Sequence, residues 1–283
     1  MKFVVRLWQF GRLCGASADL VPDHLWDRVA LPARPPRRHR YPGRLSADDR
    51  AALGGIVYVL CKGVSWRDVP GEQVGCSGVT AWRRLRDWTE AGVWPQLHEV
   101  LLAELRSAGL LDMDDASIDG SHVRALKGEG AHTGPSPVDQ AWPGSKHHLI
   151  VDRYGTPLTV SLTSGNRHDV TQLIPLLDAM PRIRGGRRRP RHRLDRLFAD
   201  RGYDYDKYRR ILRARGITPK IARKGTSHGS GLGRTRWVVE WTFAWLHQFV
   251  RLRIRYEIHA DLHLGILQLA CSIICLIRLG TSL

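Results

Sequence analysis

Acidic residues are scarce in this chain of 283 residues: 27 Asp plus Glu stand against 44 Lys plus Arg, a formal charge of +17. Cysteine is sparse as well. The five cysteines, at 14, 61, 76, 271 and 275, show no zinc-ligand spacing and suggest no disulfide scaffold, which fits a reducing cytoplasmic compartment. Cys271 and Cys275, four apart on an apolar stretch, read as small hydrophobes. A bilayer-crossing run is missing: residues 264–277 are apolar but shorter than the roughly 20 residues a crossing needs, and read as a buried closing helix. Arg6 and Arg12 break the apolar N-terminal stretch, so it does not read as a signal peptide. An amphipathic basic helix with a clean apolar face is also lacking, so the positive charge does not point to a membrane.

What is abundant is arginine, gathered at 34–44, 83–86, 182–196 and 251–255. Guanidinium groups bind phosphate bidentately. A large cationic surplus favours a polyanion through counterion release, so nucleic acid is the expected partner.

Three regions are predicted. Residues 1–45 form a flexible basic segment and linker, with a Pro/Arg stretch at 33–44 that either tracks a phosphate backbone or acts as a solvated tether. Residues 46–111 are helical. Ser46 is the expected cap of a helix with Leu53, Ile56, Val57 and Leu60 on one face, broken by Gly63. A segment at 78–90 turns Trp82, Leu85 and Trp88 inward and Arg83, Arg84 and Arg86 outward, as the recognition helix of a helix-turn-helix unit would. An ordinary helical bundle with a solvated basic face shares that pattern.

Residues 112–283 read as α/β. Strands are expected at 117–123, 148–152, 158–162, 194–199 and 217–221, with helices after the third, fourth and fifth, an order that fits a mixed five-stranded sheet of the ribonuclease-H-like kind. Residues 128–146 and the basic glycine loop 223–235 show no apolar period and are expected to be mobile.

Asp119, Asp200 and Glu240 lie where apolar elements do not tolerate a lone charge. Three carboxylates on one α/β core suggest hard divalent metals, and two such metals about 4 Å apart serve phosphodiester chemistry. On a helical wheel Arg236, Glu240, Phe243, His247 and Arg251 fall within an arc of roughly 80° on an otherwise apolar helix, so this stripe is expected to face a cleft. A surface Arg236–Glu240 pair is the plainer alternative. Asp112, Asp114 and Asp115 read as solvated and Asp169 as a helix cap, while His122, His147, His148 and His168 match no metal-ligand spacing.

Asp119-Gly120-Ser121, Ala199-Asp200-Arg201-Gly202-Tyr203 and Arg236-Trp237-Val238-Val239-Glu240 together resemble the DDE transposases of bacterial insertion sequences, of the insertion-sequence-five type. The match extends through Gly231-Leu232-Gly233 and Thr242-Phe243-Ala244-Trp245-Leu246, and Ser65–Pro70 resembles that family's N-terminal helical domain. The resemblance implies a ribonuclease-H-like catalytic domain preceded by an all-helical, helix-turn-helix-like DNA-binding domain. It implies Asp119, Asp200 and Glu240 as ligands of two Mg²⁺ ions, with Mn²⁺ able to substitute. Cleavage at transposon ends would leave a 3′ hydroxyl that then attacks target DNA. DNA contacts are expected from Arg83, Arg84, Arg86, Arg201, Lys224, Arg234, Arg236, His247 and Arg251, in a homodimer assembled on DNA at the bacterial nucleoid. The sequence departs from the family pattern at Gly233, Trp241 and His247. A ribonuclease-H-like nuclease without strand transfer, or a DNA-binding relic that has lost turnover, are the alternatives.

Overall fold

The computed structural model describes residues 20–30, 47–185, 188–225 and 233–280. Within the stretch expected to be a flexible segment, residues 23–30 instead form a helix, α1 (Asp23–Ala30). Its Leu25 and Val29, one turn apart, are fully buried, and Arg28 forms an ion pair with Glu104 at 2.6 Å. Residues 1–19 and 31–46, which include the Pro/Arg run and Ser46, lie outside the described residues. The cap of α2 (Asp49–Lys62) is therefore found at Asp48, whose carboxylate accepts from the Arg50 and Ala51 N–H groups at 3.3 and 3.1 Å. Leu53, Ile56, Val57 and Leu60 are buried as their spacing predicts.

Gly63 ends α2 in the left-handed region, with φ of 69°. A Cβ there would stand 2.5 Å from Val250 Cγ1, so this turn lies directly on the chain that follows the Glu240 helix. A 3₁₀ turn (Trp66–Asp68) and the single-turn α3 (Gly71–Val74) lead to α4 (Gly78–Glu90), capped by the Ser77 hydroxyl and burying Ala81, Leu85 and Trp88. Helix α5 (Val93–Ser107) completes the helical half.

The sheet carries seven strands, two more than expected: β1 (Asp115–Ala125), β2 (Gly134–Pro135), β3 (Pro143–Asp152), β4 (Pro157–Ser164), β7 (Arg196–Ala199), β8 (Thr218–Ile221) and β9 (Ile254–Arg255). The five longer strands lie in the order β4-β3-β1-β7-β8. The β1–β3 and β3–β4 pairs are antiparallel, and β1–β7 and β7–β8 are parallel. This mixed sheet is the ribonuclease-H-like arrangement. The additions are two-residue strands without a periodic signal, and a separate hairpin, β5 (Ile183–Gly185) with β6 (Arg188–Arg191), stands apart.

Four further helices accompany the sheet: α6 (Leu173–Ala179), α7 (Asp206–Ala214), α8 (Gly233–Leu246) and α9 (Ala260–Gly280). Helix α8 packs on β1, β3 and β7, and α9 packs on β4, α4 and α5. At 21 residues α9 is longer than the apolar run suggests. It is long and apolar enough to cross a membrane, yet 78% of its most apolar window is buried inside the fold, as a closing helix should be. One hydrophobic core runs from Leu53 and Trp94 in the helices to Ile118 and Leu149 in the sheet. Cys76, Cys271 and Cys275 are free and buried, whereas Cys61 is disulfide-bonded, a link that the cysteine spacing does not announce.

Residues 128–146, expected to be mobile, are turns and bends except for β2 and the last four residues, which belong to β3. Arg255 ties this loop to the rest of the fold. The Arg255 side chain is buried, and its guanidinium donates to Ala131 O at 2.9 Å, His132 O and Thr133 Oγ1 at 3.1 Å, and Ser145 Oγ at 2.8 Å. A loop without apolar period is thus held by polar bonds to a charge from distant sequence, which periodicity cannot reveal. Replacing Arg255 by Met strands those oxygens and is expected to cost about 3–5 kcal/mol in urea denaturation. Unchanged stability would show that the loop does not depend on it.

Candidate active site

The register of β1 against β7 builds the first half of the site. The last parallel pair is Ser117 with Phe198, so Asp119, two residues further along β1, and Asp200, just past the end of β7, lie toward the same end of the two strands, close enough for the Asp200 charge to act on Asp119. Asp200 follows the end of β7 and caps the turn Arg201–Tyr203, its Oδ1 accepting from the Gly202 N–H at 2.9 Å. Asp119 Oδ1 accepts from the Gly120 N–H at 2.8 Å. Each carboxylate therefore has one oxygen tied to backbone and one left for other partners.

Helix α8 supplies the second half. Arg236 Nη1 lies 3.5 Å from Asp119 Oδ2, and Arg236 Nη2 lies 2.9 Å from Glu240 Oε1. One guanidinium thus links the two outer acids of the expected triad. The Arg236–Glu240 pair expected as the plainer alternative is present, but it also engages Asp119. Among the described residues no group of three or more His, Cys, Asp or Glu side chains is drawn close enough to hold a metal; Arg236 stands between Asp119 and Glu240.

Burial dominates the Asp119 environment and pushes its carboxyl up to about 6; the Asp200 and Asp169 charges push the same way, and the Gly120 N–H and Arg236 oppose them. Asp169 is not the helix cap expected. It accepts from the buried Lys146 Nζ at 2.9 Å and packs against Gly120, where a Cβ would come within 2.9 Å of its Oδ1. Only glycine leaves room for this carboxylate beside Asp119. His148, paired across β1–β3 with Gly120, is fully buried and bonds Thr163 Oγ1 at 2.7 Å. Asp115 is likewise not solvated: it is buried at the start of β1 beside Arg196.

Tyr203 was not singled out by its position in the sequence. Its ring is buried and its hydroxyl has no hydrogen-bond partner among the described residues. Burial, with the charges of Asp119, Asp169 and Asp200 adding to it, holds the phenol well above its ordinary range. The only forewarning was its place three residues after Asp200.

The expected stripe on α8 is rotated. Phe243 is buried, and the helix stops at Leu246, before His247 and Arg251. Glu240 and Ala244 are exposed, and Trp237 is 48% exposed. The Trp237 and Trp241 ring centroids are 5.4 Å apart, with Trp241 stacked on Trp245 at 5.7 Å. A wheel drawn on hydrophobicity assigns tryptophan to the core; here the indole lies beside the catalytic candidate Glu240.

The DNA-contact candidates divide. Arg83 on α4 is exposed and forms no ion pair among the described residues. Arg84 is largely buried and pairs with Asp49 at 2.7 Å, and Arg86 pairs with Asp87 at 2.9 Å while lying 5.7 Å from the Trp82 ring. Arg201 lies in the turn after Asp200, and exposed Lys224 stands 4.0 Å over the Tyr205 ring. The Arg234 side chain lies outside the described residues. His247 Nε2 is buried without a hydrogen-bond partner among the described residues, and burial followed by the Arg253 charge lowers its pKa. Arg251 is buried and bound to Glu257 at 2.6 Å and to Val64 O at 2.9 Å, so its charge is already used. Neither His247 nor Arg251 joins Glu240 on an open face.

The fold is of the ribonuclease-H-like class. The family model described as "Transposase DDE domain" matches residues 111–275, more than half of the chain, and the chain belongs to this family of DNA-cleaving and strand-transferring enzymes. A second model, "Putative transposase of IS4/5 family", matches residues 21–98, the helical half. Two proteins of insertion element IS402 from Burkholderia cepacia are similar. "Putative transposase for insertion sequence element IS402" is 59% identical over 143 residues, covering 50% of this chain and 68% of the relative. "Insertion element IS402 uncharacterized 16.2 kDa protein" is 51% identical over 124 residues, covering 43% and 83%. A solved pre-cleavage Mos1 transpososome aligns over 96% of this chain and 92% of its own at 12% identity, but with a TM-score of 0.26 the likeness supports nothing further.

The raised Asp119 carboxyl has a consequence for stability. Its folded pKa of about 6 exceeds its ordinary value of 3.8, so the folded metal-free protein holds the extra proton and loses stability as pH rises through that window. Asp119→Asn should therefore leave stability unchanged below pH 4 and raise it by about 1–3 kcal/mol at pH 7 in EDTA. Thermal unfolding across pH 3.5–7.5 measures this; a variant less stable than the parent at pH 7 would refute it.

Proposed function

We propose that Asp119, Asp200 and Glu240 are the acids with which this transposase processes the ends of its insertion element. The observation that carries the proposal is the approach of Asp119 and Asp200 at the same end of β1 and β7, joined to Glu240 through Arg236. The donor set fits a hard divalent cation. All three groups offer carboxylate oxygen, and the burial that raises Asp119, with the Asp200 and Asp169 charges adding to it, disfavours an anion that such a cation would stabilise. Asp119 and Asp200 would share one ion, and Glu240, once released by Arg236, would complete a second site. Mg²⁺ is the proposed ion, with Mn²⁺ able to replace it. When bound, the ions supply water activation and neutralise the phosphate.

The side chains do the rest. Asp119 and Asp200, fixed through Gly120 and Gly202, set the place of the scissile phosphate. Arg236 exchanges a carboxylate partner for a phosphate, because its guanidinium suits either. Arg83, exposed on α4, contacts the DNA backbone, and Arg201 and Lys224 do so near the acids. Two ends must be joined, so the proposed working form is a homodimer assembled on the two terminal repeats.

Cleavage of a duplex carrying the element's own end tests the acid assignment. With Mg²⁺, Asp119→Asn and Asp200→Asn should each lower cleavage at least a thousandfold while retaining end binding, and EDTA should abolish it in the parent. Retained cleavage in either variant overturns the assignment.

The DNA-binding half is tested by gel shift as a function of salt. Arg83→Ala should weaken end binding and reduce the salt slope by about one. Arg84→Ala should instead lower thermal stability, since it releases Asp49. An unchanged affinity and slope for Arg83→Ala would remove α4 from the interface.

A further inference from the structure

A cavity of about 450 Å³ lies where the turn Gly63–Trp66, helix α4, the end of β1 and the segment 251–262 meet. That is within the range of small-ligand pockets, roughly 300–1,000 Å³. Aromatic rings dominate its walls: Trp66, Trp82 and Tyr256. Arg251 is a fourth planar group. Its guanidinium carbon stands 4.5 Å from the Tyr256 ring centroid and 5.7 Å from that of Trp66. Glu257 and Val64 O hold it in place at 2.6 and 2.9 Å.

Both signs line this cavity, but among the described residues its one acid, Glu257, is already matched: its oxygens face Arg251 at 2.6 Å and His263 at 3.3 Å. Exposed Lys127 lies in the lining beside Leu126, which is 60% exposed, and Arg86 lies over Trp82. Trp82 itself belongs to α4, between the buried Ala81 and the exposed Arg83. A ligand suited to these walls is flat, aromatic and attached to negative charge.

We propose that this cavity receives an unstacked nucleobase of the DNA bound by α4. The base would lie among Trp66, Trp82 and Tyr256, with Lys127 on a flanking phosphate. Stacking on aromatic rings accepts any base, so the pocket would detect a disrupted or extruded position rather than a letter of sequence. The site rests on the reading of α4 as a DNA-binding helix and adds to it a second mode of contact, separate from the acid site.

The test uses the full chain and two synthetic 20-base-pair duplexes, one fully paired and one with a single bulged 2-aminopurine. The parent should bind the bulged duplex about tenfold more tightly and quench its fluorescence. Trp82→Ala, which removes a platform, and Leu126→Trp, which fills the mouth from an exposed position, should each erase the preference and the quenching. Their affinity for the paired duplex should change less than threefold and their thermal unfolding should stay near the parental value. No preference in the parent, or a preference that survives in a folded Leu126→Trp protein, overturns the proposal. Arg83→Ala is the separate control: weakened binding to both duplexes upholds α4 as the DNA helix even if the pocket fails, and unaltered binding removes the premise itself.

Discussion

Strand β1 is the constraint on which the rest depends. It is paired on one side with β3 throughout most of its length and on the other first with β7 and then with β9. A slip of one residue against β7 would separate Asp119 from Asp200 and turn Asp119 to the opposite face of the sheet. The buried Ile118, Leu149, Ile150 and Leu197 oppose that slip, because it would expose apolar side chains along with moving the acid. Placement of the first carboxylate and packing of the core are one and the same constraint.

Arg236 complements that fixed pair. Asp119, Asp200 and Asp169 gather here; Lys146 binds Asp169, and Arg236 reaches Asp119 and Glu240 from α8. Glu240 is exposed and Asp119 largely buried, so of the two carboxylates on this guanidinium Glu240 is the freer to change partner.

Much of this was legible in the sequence, for identifiable reasons. The five main strands and the helix at 78–90 follow from alternating or helical apolar spacing; on that helix Leu85 and Trp88 are buried as expected, whereas Trp82 is half-buried and lines the cavity. Asp119, Asp200 and Glu240 stood out because each charge interrupts an apolar element. What stayed hidden depends on contacts between distant parts of the chain. The role of Asp169 comes from the buried Lys146 and the missing side chain at Gly120. The loop at 128–142 takes its shape from Arg255, more than a hundred residues later. The α8 stripe was misplaced by some tens of degrees because a hydrophobicity wheel cannot distinguish a tryptophan in the core from one beside a charged site.

The closing helix α9 carries a consequence for how the protein is made. Its Leu262, Ile266, Leu269 and Ile273 belong to the same core as Leu53 and Trp94. The helices that come off the ribosome first therefore lack a wall of their own interior until the segment 260–280 has been synthesised. Folding of the helical half is coupled to near-complete translation, and a chain interrupted upstream of α9 leaves both halves without that shared wall.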